Sequence, residues 1–208
     1  MKIDARSRYD SLFLPLKAVT TLSLGYFTWR VLSDFLQNGH ALLLLVLASE
    51  LITVGLVLLA PRPRHVVLTP RSILLTNAAT FYFLFVSLKP GEQVLPNTAI
   101  GLLMLFGILL QIASKITLGR SFGLLPAMRG IVVRGPYRLV RHPIYLGYLC
   151  THVGFFCFAM SWHNLLVYAL LYACQFGRIF EEERILAQSS EYRAYMHVVR
   201  YRLIPGLC

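Results

Sequence analysis

The chain has 208 residues, of which 57% are hydrophobic and only 14% are charged, and its formal net charge is +11. Soluble domains typically carry about 25% charged residues, so this composition argues against a soluble protein and favours an integral membrane protein. A positive charge of this size is also typical of nucleic-acid binding, but the placement of the cations along the chain favours a membrane protein instead.

Six apolar segments are long enough to cross a bilayer, which takes roughly 20 mostly apolar residues per helix. The second is the clearest, and the third is the weakest because it is short and contains Asn77 and several hydroxyl side chains. The first has Lys17 and Arg30 near its ends, where long cationic side chains reach the interface. The predicted spans are 12–33, 40–60, 72–89, 97–114, 142–160 and 163–180.

The lysines and arginines are distributed regularly between these spans. All except Arg30 and Lys89 fall before or at the start of the first span, between spans two and three, between spans four and five, or around the end of the last span. The positive-inside rule makes that side cytoplasmic, so both termini are predicted to be cytoplasmic. A basic membrane face also attracts anionic lipid headgroups, which explains the net charge without a nucleic-acid partner.

The segment 115–141, between spans four and five, is basic and contains several glycines and prolines. Loops of this length usually have a function or fold on themselves, so we expect an ordered loop at the membrane face. The tail 181–202 has apolar residues at helical spacing and is predicted to form an interfacial helix. The chain is thus predicted to be one all-α membrane domain, 1–208, with membrane spans in 1–114 and the loop, a helical hairpin and the tail in 115–208.

The cysteines have neither a metal-binding nor a disulfide pattern. Cys150, Cys157 and Cys174 lie in predicted spans, and Cys208 ends the chain. Their spacing fits neither a zinc site nor the framework of a secreted protein, and Cys208 does not match a prenylation motif. We expect small buried hydrophobic side chains and no bound metal.

A polar stretch, residues 134–147, directly precedes the fifth span. Pro143 suits the first turn of a helix, where its missing N–H costs nothing, so the helix should begin near His142. The Gly135-Pro136 pair before it allows a turn with exposed backbone amides. Such amides and a helix N-terminus favour a carboxylate ligand.

Two tyrosines and a histidine extend this ligand chemistry. Tyr137 and Tyr145 offer aromatic faces that attract a cationic centre, and His142 offers a hydrogen-bond donor or acceptor. Together these groups suit a zwitterion with a carboxylate, a cationic centre and an aromatic ring system, such as S-adenosylmethionine. The same residue types are common in an ordinary juxtamembrane anchor, and that interpretation stays open from composition alone.

A second polar cluster lies where the sixth span should leave the membrane. Arg178 and Glu182 are four residues apart and therefore share a helical face. A partly desolvated arginine is costly and often functional, although an intrahelical salt bridge followed by an acidic start of the tail explains the same residues. Since both clusters are predicted at the cytoplasmic end of one helical hairpin, we expect them to frame a single polar site.

Five short motifs, taken in order, resemble the isoprenylcysteine carboxyl methyltransferase and phospholipid methyltransferase families. The resemblance covers the C-terminal third of the chain, and the N-terminal spans match only as generic membrane helices. The motifs are Gly135-Pro-Tyr137, Arg141-His-Pro-Ile-Tyr-Leu-Gly147, Glu182-Glu-Arg-Ile-Leu186, Tyr192-Arg-Ala-Tyr195 and Pro205.

The resemblance implies S-adenosylmethionine as methyl donor and a lipidic acceptor, either the carboxylate of a prenylcysteine-like substrate or a lipid amine. Arg178 matches an arginine that orients the substrate carboxylate in the prenylcysteine enzymes, so Arg178 and Glu182 are the predicted catalytic residues. The segment Arg129–Val132 matches the position of a further cofactor-binding segment, but its residues differ from the eukaryotic pattern. The predicted cofactor contacts are Gly135, Tyr137, His142, Pro143, Ile144, Tyr145 and Glu182.

Methyl transfer from a sulfonium is an in-line displacement that needs positioning and exclusion of water more than a strong acid or base. A carboxylate acceptor is already nucleophilic, whereas an amine would have to lose a proton, for which Glu182, Glu183 and His142 are candidates. Two alternatives remain. Membrane sterol reductases have a similar C-terminal hairpin and use NADPH, and a non-catalytic membrane scaffold would bind neither cofactor.

Overall fold

The computed structural model describes residues 5–59, 74–75, 78–79, 81–92, 94–119 and 131–206. Every regular element within these residues is a helix, so the predicted all-α fold is confirmed. The α-helices are α1 (Ala5–Asn38), α2 (Leu42–Leu59), α3 (Asn97–Leu118), α4 (Pro143–Phe158), α5 (Trp162–Leu186) and α6 (Ser190–Val198), and two short 3-10 turns lie at Tyr82–Leu84 and Gly135–Arg138.

One of the described helices, α3, is both long enough and apolar enough to cross a membrane, with a mean hydropathy of 2.0 over its most apolar stretch. The Leu42–Gly55 part of α2 and the whole of α4 are apolar but shorter. The predicted count of six spans is therefore not confirmed.

The weakest predicted span, 72–89, falls partly outside the described residues and does not extend to its predicted end. Its helical part ends in the 3-10 turn at Tyr82–Leu84, and the residues after Phe85 are not helical. The Arg30 guanidinium of α1 donates hydrogen bonds of 3.2 Å to the carbonyl oxygens of Leu84 and Val86. Arg30 therefore satisfies backbone carbonyls where this segment ends, in addition to lying near the end of the first predicted span.

Several predicted boundaries are wrong because helices continue through polar residues. Helix α3 includes Lys115, which was expected in the following loop, and residues 120–130 of that loop lie outside the described part of the chain. Helix α5 includes the acidic residues that were expected to open the tail, so the tail helix is only α6. Polar side chains that have partners within the protein do not end a helix, and the sequence pattern does not reveal those partners.

Helices α3 and α4 pack very closely because glycines remove side chains from their contact. A Cβ on Gly107 would lie 2.6 Å from the carbonyl oxygen of Gly147 and 2.5 Å from Thr151 Oγ1. The buried Gln111 amide donates a hydrogen bond of 3.1 Å to Thr151 Oγ1 across the same contact. The C-terminal half of α3 is thereby fixed against the N-terminal half of α4, where the polar clusters lie.

The helices carry apolar side chains on their outer faces as well as in the core. The core contains residues from all of the helices α1 to α5 and from the 3-10 turn at Tyr82–Leu84, and includes Phe27, Phe83 and Leu171. A helix that is hydrophobic on all sides is typical of a membrane protein. Exposed apolar side chains include Leu102, Phe106, Leu109 and Ile116 of α3 and Leu166 and Leu170 of α5.

Adding one methyl group at the α3–α4 contact should destabilise the protein. Gly107→Ala places a Cβ against backbone atoms of α4 that cannot move aside, and overpacking of this kind costs about 1–3 kcal/mol. Gly101→Ala, in the same helix, meets its nearest atom only at 3.4 Å and should leave stability unchanged or slightly raised. Thermal unfolding of both variants in detergent measures the difference, and equal melting temperatures would contradict this account of the contact.

Candidate functional site

The 3-10 turn Gly135–Arg138 shapes the approach to α4. Gly135 has φ +55°, a left-handed conformation that favours glycine, and a Cβ there would lie 2.9 Å from Thr117 Oγ1. Tyr137 in this turn is buried, and its carbonyl oxygen accepts a hydrogen bond of 2.7 Å from the Tyr195 hydroxyl of α6. The turn predicted from the Gly-Pro pair is confirmed, and α6 packs on it.

Helix α4 begins at Pro143, with His142 as the residue before it, as the sequence predicts. The backbone N–H groups of Arg141 and His142 donate hydrogen bonds of 2.9 Å to the carbonyl oxygens of Tyr201 and Arg202. The end of the tail therefore runs beside the start of α4.

The carboxylate of Glu183, near the end of α5, lies at the centre of the polar site. Its Oε1 accepts a hydrogen bond of 2.7 Å from Arg141 Nε and lies 3.2 Å from His142 Nε2. Its Oε2 accepts a hydrogen bond of 2.8 Å from Arg202 Nε. Glu183 is only 5% exposed. We refer to Glu183, Arg141, His142 and Arg202 as the Glu183 cluster.

The partners of Glu183 stabilise its negative charge. Burial by itself would raise the pKa of this carboxyl, but hydrogen bonds from His142, Arg141 and Arg202 outweigh burial and lower the pKa to about 2. The carboxylate is therefore ionised at neutral pH. A buried charge without such partners is strongly destabilising, so all of these contacts must form together.

Arg141 also binds the tail through its remaining donors. Its Nη1 donates hydrogen bonds of 2.9 Å to the Val199 carbonyl oxygen and 2.7 Å to the Arg200 carbonyl oxygen. Neither Arg141 nor Arg202 was predicted as a site residue, and Glu183 was considered only as a proton acceptor. For two of these residues the sequence offered one signal, which was their position next to predicted site residues. Arg141 directly precedes His142, and Glu183 directly follows Glu182.

Three predicted site residues form a second group beside the Glu183 cluster. The Tyr145 hydroxyl donates a hydrogen bond of 3.2 Å to Glu182 Oε2, and the Arg178 guanidinium carbon lies 5.8 Å from the centre of the Tyr145 ring. The His142 ring stands edge-on to the Tyr145 ring with centres 5.6 Å apart. The structure thus brings His142 and Tyr145 together with Arg178 and Glu182, which the sequence placed in two separate clusters.

The other predicted cofactor residues differ in exposure. Pro143 is fully buried, Ile144 is half-buried and Gly135 is exposed. Burial, and then the negative charge of Glu182, raises the pKa of Tyr137. The Tyr137 phenol is therefore protonated at neutral pH, and it lies near the Glu182 carboxylate.

The predicted segment Arg129–Val132 is described only in part, since Arg129 and Gly130 lie outside the described residues. Ile131 packs against a small core formed by Tyr192, Tyr195 and Val199. Burial raises the pKa of Tyr195 to about 12, so its hydroxyl remains a hydrogen-bond donor at neutral pH. Helix α6 therefore packs against the described end of the loop at Ile131.

A further polar group, which the sequence did not indicate, lies deeper between the helices. His152 Nε2 lies 2.6 Å from the Tyr82 hydroxyl and His152 Nδ1 lies 2.9 Å from the Tyr172 hydroxyl. The Tyr148 ring stacks on the imidazole with centres 5.9 Å apart. Tyr82, Tyr148 and His152 border a cavity of about 40 Å³ that Tyr168 also lines. Both imidazole nitrogens have partners, so this histidine is satisfied within the protein.

Residues 97–192, from the start of α3 into α6, match the sequence profile of the phospholipid methyltransferase family. The match covers slightly less than half of the chain. The resemblance expected from the motifs is therefore confirmed, and the family is one of methyltransferases that act on lipid-like substrates. No curated protein matches the chain. The matched segment contains every member of the Glu183 cluster except Arg202. It also contains Tyr145, Arg178 and Glu182 of the second group.

Removing the charge of Glu183 should destabilise the fold. Glu183→Gln leaves the cations of Arg141 and Arg202 without their counter-charge, and breaking a buried pair in this way costs about 3–5 kcal/mol. Thermal unfolding in detergent at pH 7 should show a clear loss of stability relative to Glu92→Gln, which changes an exposed loop carboxylate.

The stabilisation by Glu183 should also depend on pH. The pKa of the Glu183 carboxyl falls from 4.5 in the unfolded chain to about 2 in the folded protein. Its contribution to stability is therefore fully present above the unfolded pKa and is lost as the pH falls through the folded pKa. The difference in melting temperature between the unaltered protein and Glu183→Gln should therefore shrink as the pH falls through this interval. A difference that stays constant over this range would show that the carboxylate does not ionise as described.

Proposed function

We propose that this protein is an S-adenosylmethionine-dependent methyltransferase that methylates a lipidic acceptor at the cytoplasmic face of a membrane. The observation that carries the proposal is the contact of His142 and Tyr145, at the start of α4, with Glu183 and Glu182, at the end of α5. These residues belong to the motifs from which the resemblance implies cofactor binding. The match of residues 97–192 to the phospholipid methyltransferase family supports methyl transfer to a lipid-like molecule.

The side chains of the second group fit S-adenosylmethionine chemically. The Glu182 carboxylate suits the ammonium group of an amino acid, and the Tyr145 ring suits a cationic sulfonium or an adenine ring. The buried amide oxygen of Gln175 in α5 has no hydrogen-bond partner among the described residues. An unsatisfied buried acceptor costs about 1–3 kcal/mol, and a donor group on a bound ligand would remove that cost.

When bound, S-adenosylmethionine supplies a methyl group on a positively charged sulfur. The residues of the chain then position the acceptor and exclude water, which is what an in-line displacement requires. Arg178 is proposed to bind an acceptor carboxylate, because its guanidinium reaches the same Tyr145 ring whose hydroxyl donates to Glu182. Glu183 has an indirect role, since its contact with His142 holds that ring against Tyr145.

The proposal includes a multi-pass membrane arrangement with about six spans and both termini in the cytoplasm. The distribution of lysines and arginines supports this orientation. The exposed apolar side chains of α3 and α5 also support it, because lipid is the environment in which such faces are stable. The cofactor then enters from the cytosol, and the acceptor enters sideways between helices from the bilayer.

The purified protein should bind S-adenosylhomocysteine saturably and should not bind NADPH, as measured by calorimetric titration in detergent. Tyr145→Ala removes the aromatic face and the hydroxyl partner of Glu182, and should weaken this binding by about tenfold or more. Trp162→Phe, at the opposite end of α5, changes a highly exposed side chain and serves as the control. Saturable binding of NADPH alone would instead support a reductase, and binding of neither ligand would support a scaffold.

Arg178→Ala should abolish turnover of a carboxylate acceptor while sparing the cofactor. With a farnesylcysteine derivative as acceptor, kcat/KM should fall by about 100-fold or more, whereas the Kd for S-adenosylhomocysteine should change by less than about threefold. Arg184→Ala removes an exposed arginine from the same helix and should leave both values unchanged. Equal losses of turnover and cofactor binding in Arg178→Ala would contradict the acceptor role.

A further inference from the structure

One side of α5 changes from apolar to cationic near the end of the helix. On this side, Leu166 and Leu170 are 65% and 70% exposed, and Phe180 is 54% exposed. Arg184 follows Phe180 by four residues, so the two side chains are neighbours on one helical face, and Arg184 is also exposed. In the proposed membrane arrangement, this change marks the level at which the hydrocarbon of the bilayer gives way to lipid headgroups.

Arg202 of the tail reaches the same side of α5. Its guanidinium carbon lies 5.2 Å from the centre of the Phe180 ring. The Nε of the same side chain donates a hydrogen bond of 2.8 Å to Glu183 Oε2. Arg202 therefore lies between the enclosed carboxylate of Glu183 and the exposed apolar surface of α5.

The contact with Glu183 leaves most of the hydrogen-bond donors of Arg202 available. Its side chain is 34% exposed. Within the part of the chain that the structure describes, the terminal groups Nη1 and Nη2 have no hydrogen-bond partner. The N–H groups of a guanidinium form a planar fork that matches the oxygens of a phosphate, so Arg202 can hold Glu183 and a phosphate at the same time.

The local charge is positive even after the ion pairs of Glu183 are counted. Arg141 and Arg202 both bind the single carboxylate of Glu183, so one positive charge is left over, and Arg184 adds another. Glu181, which follows Phe180 in the chain, already has an interaction within the protein. The complementary partner for this surface is an anion.

Exposed apolar side chains accompany Arg202 in the tail. Tyr201 is 39% exposed, Ile204 is 38% exposed and Val198 is 78% exposed. The segment 198–206 contains arginines but no acidic residue. Apolar side chains mixed with cations alone are typical of a segment that lies at an anionic membrane surface, which favours a lipid over a soluble anion.

We propose that Phe180, Arg184 and Arg202 form a binding site for the phosphate of an anionic phospholipid in the cytoplasmic leaflet, and that the bound lipid holds the tail in place. The fork of Arg202 binds the phosphate oxygens, Arg184 adds a second positive charge, and the acyl chains lie along the apolar side of α5. The inference rests on the membrane arrangement in the proposed function. It adds a regulatory ligand that is neither the methyl donor nor the acceptor.

Lipid at this site acts on the proposed cofactor group through Glu183. Arg202 and His142 contact the same Glu183 carboxylate, and the His142 ring stands edge-on to Tyr145. A ligand that binds the tail only in its docked position stabilises that position. Because coupling between two binding sites is reciprocal, anionic lipid should also tighten the binding of the cofactor.

The test compares the full chain in nanodiscs of phosphatidylcholine with the chain in nanodiscs that also contain about 30% phosphatidylglycerol. Phosphatidylglycerol should raise the Tm by about 3 °C or more and should tighten the binding of S-adenosylhomocysteine by about fivefold. An unchanged Tm would overturn the lipid site.

Variants separate this site from general attraction to a basic surface. Arg202→Lys keeps a positive charge beside Glu183 but loses the fork, and Arg184→Gln removes the second cation without touching the Glu183 cluster. Each should reduce the rise in Tm caused by phosphatidylglycerol to about half or less. Arg134→Gln removes an exposed arginine of the loop and should keep the full rise. Equal rises in all of these proteins would overturn the assignment.

The remaining outcomes distinguish the lipid from a free anion and the inference from the proposed function. Inorganic phosphate added in detergent should not reproduce the stabilisation, because it has no acyl chains for the apolar side of α5, and an equal stabilisation would overturn the choice of a lipid. If phosphatidylglycerol raises the Tm as described but S-adenosylhomocysteine does not bind, the lipid site stands and the proposed function is wrong. If S-adenosylhomocysteine binds and phosphatidylglycerol changes neither Tm nor affinity, the lipid site is wrong and the proposed function stands.

Discussion

The buried carboxylate of Glu183 joins three segments of the chain that are distant in sequence. The start of α4 contributes Arg141 and His142, the end of α5 contributes Glu183, and the tail contributes Arg202. An ionised carboxylate is stable inside a protein only when its hydrogen bonds are complete. The end of α5 therefore cannot pack in this way unless the loop before α4 and the tail are also in place, and the geometry of the proposed site depends on all three.

The adjacent glutamates at the end of α5 have different surroundings because successive helical residues point about 100° apart. Glu183 faces the arginines and is enclosed by them, whereas Glu182 faces Tyr145 and remains half-buried. The enclosed carboxylate has its acceptors occupied and is suited to holding the structure. The half-buried one is next to Arg178 and an aromatic ring, and is suited to contact with a ligand.

The parts of the site that depend on neighbouring residues were predictable from the sequence. The start of α4 at Pro143 and the turn at Gly135 follow from rules that act over a few residues. The pairing of Arg202 with Glu183 and of the tail with Arg141 was not predictable, because these contacts join distant segments without any periodic pattern. The end of α3 was placed too early for a related reason, since Lys115 resembles a loop residue until the ring of Tyr148 beside it is known.

The polar groups lie beside an apolar surface, and this position suits the proposed methyl transfer to a lipidic acceptor. A polar methyl donor and a lipidic acceptor can meet only where water-accessible and lipid-accessible surfaces adjoin. Close packing at Gly107 and Gly147 brings the ends of α3 and α4 together, so that charged groups converge on one side while the outer faces of the same helices stay apolar. The glycine contact holds α4 against α3, and the Glu183 cluster holds the start of α4 against the end of α5 and the tail.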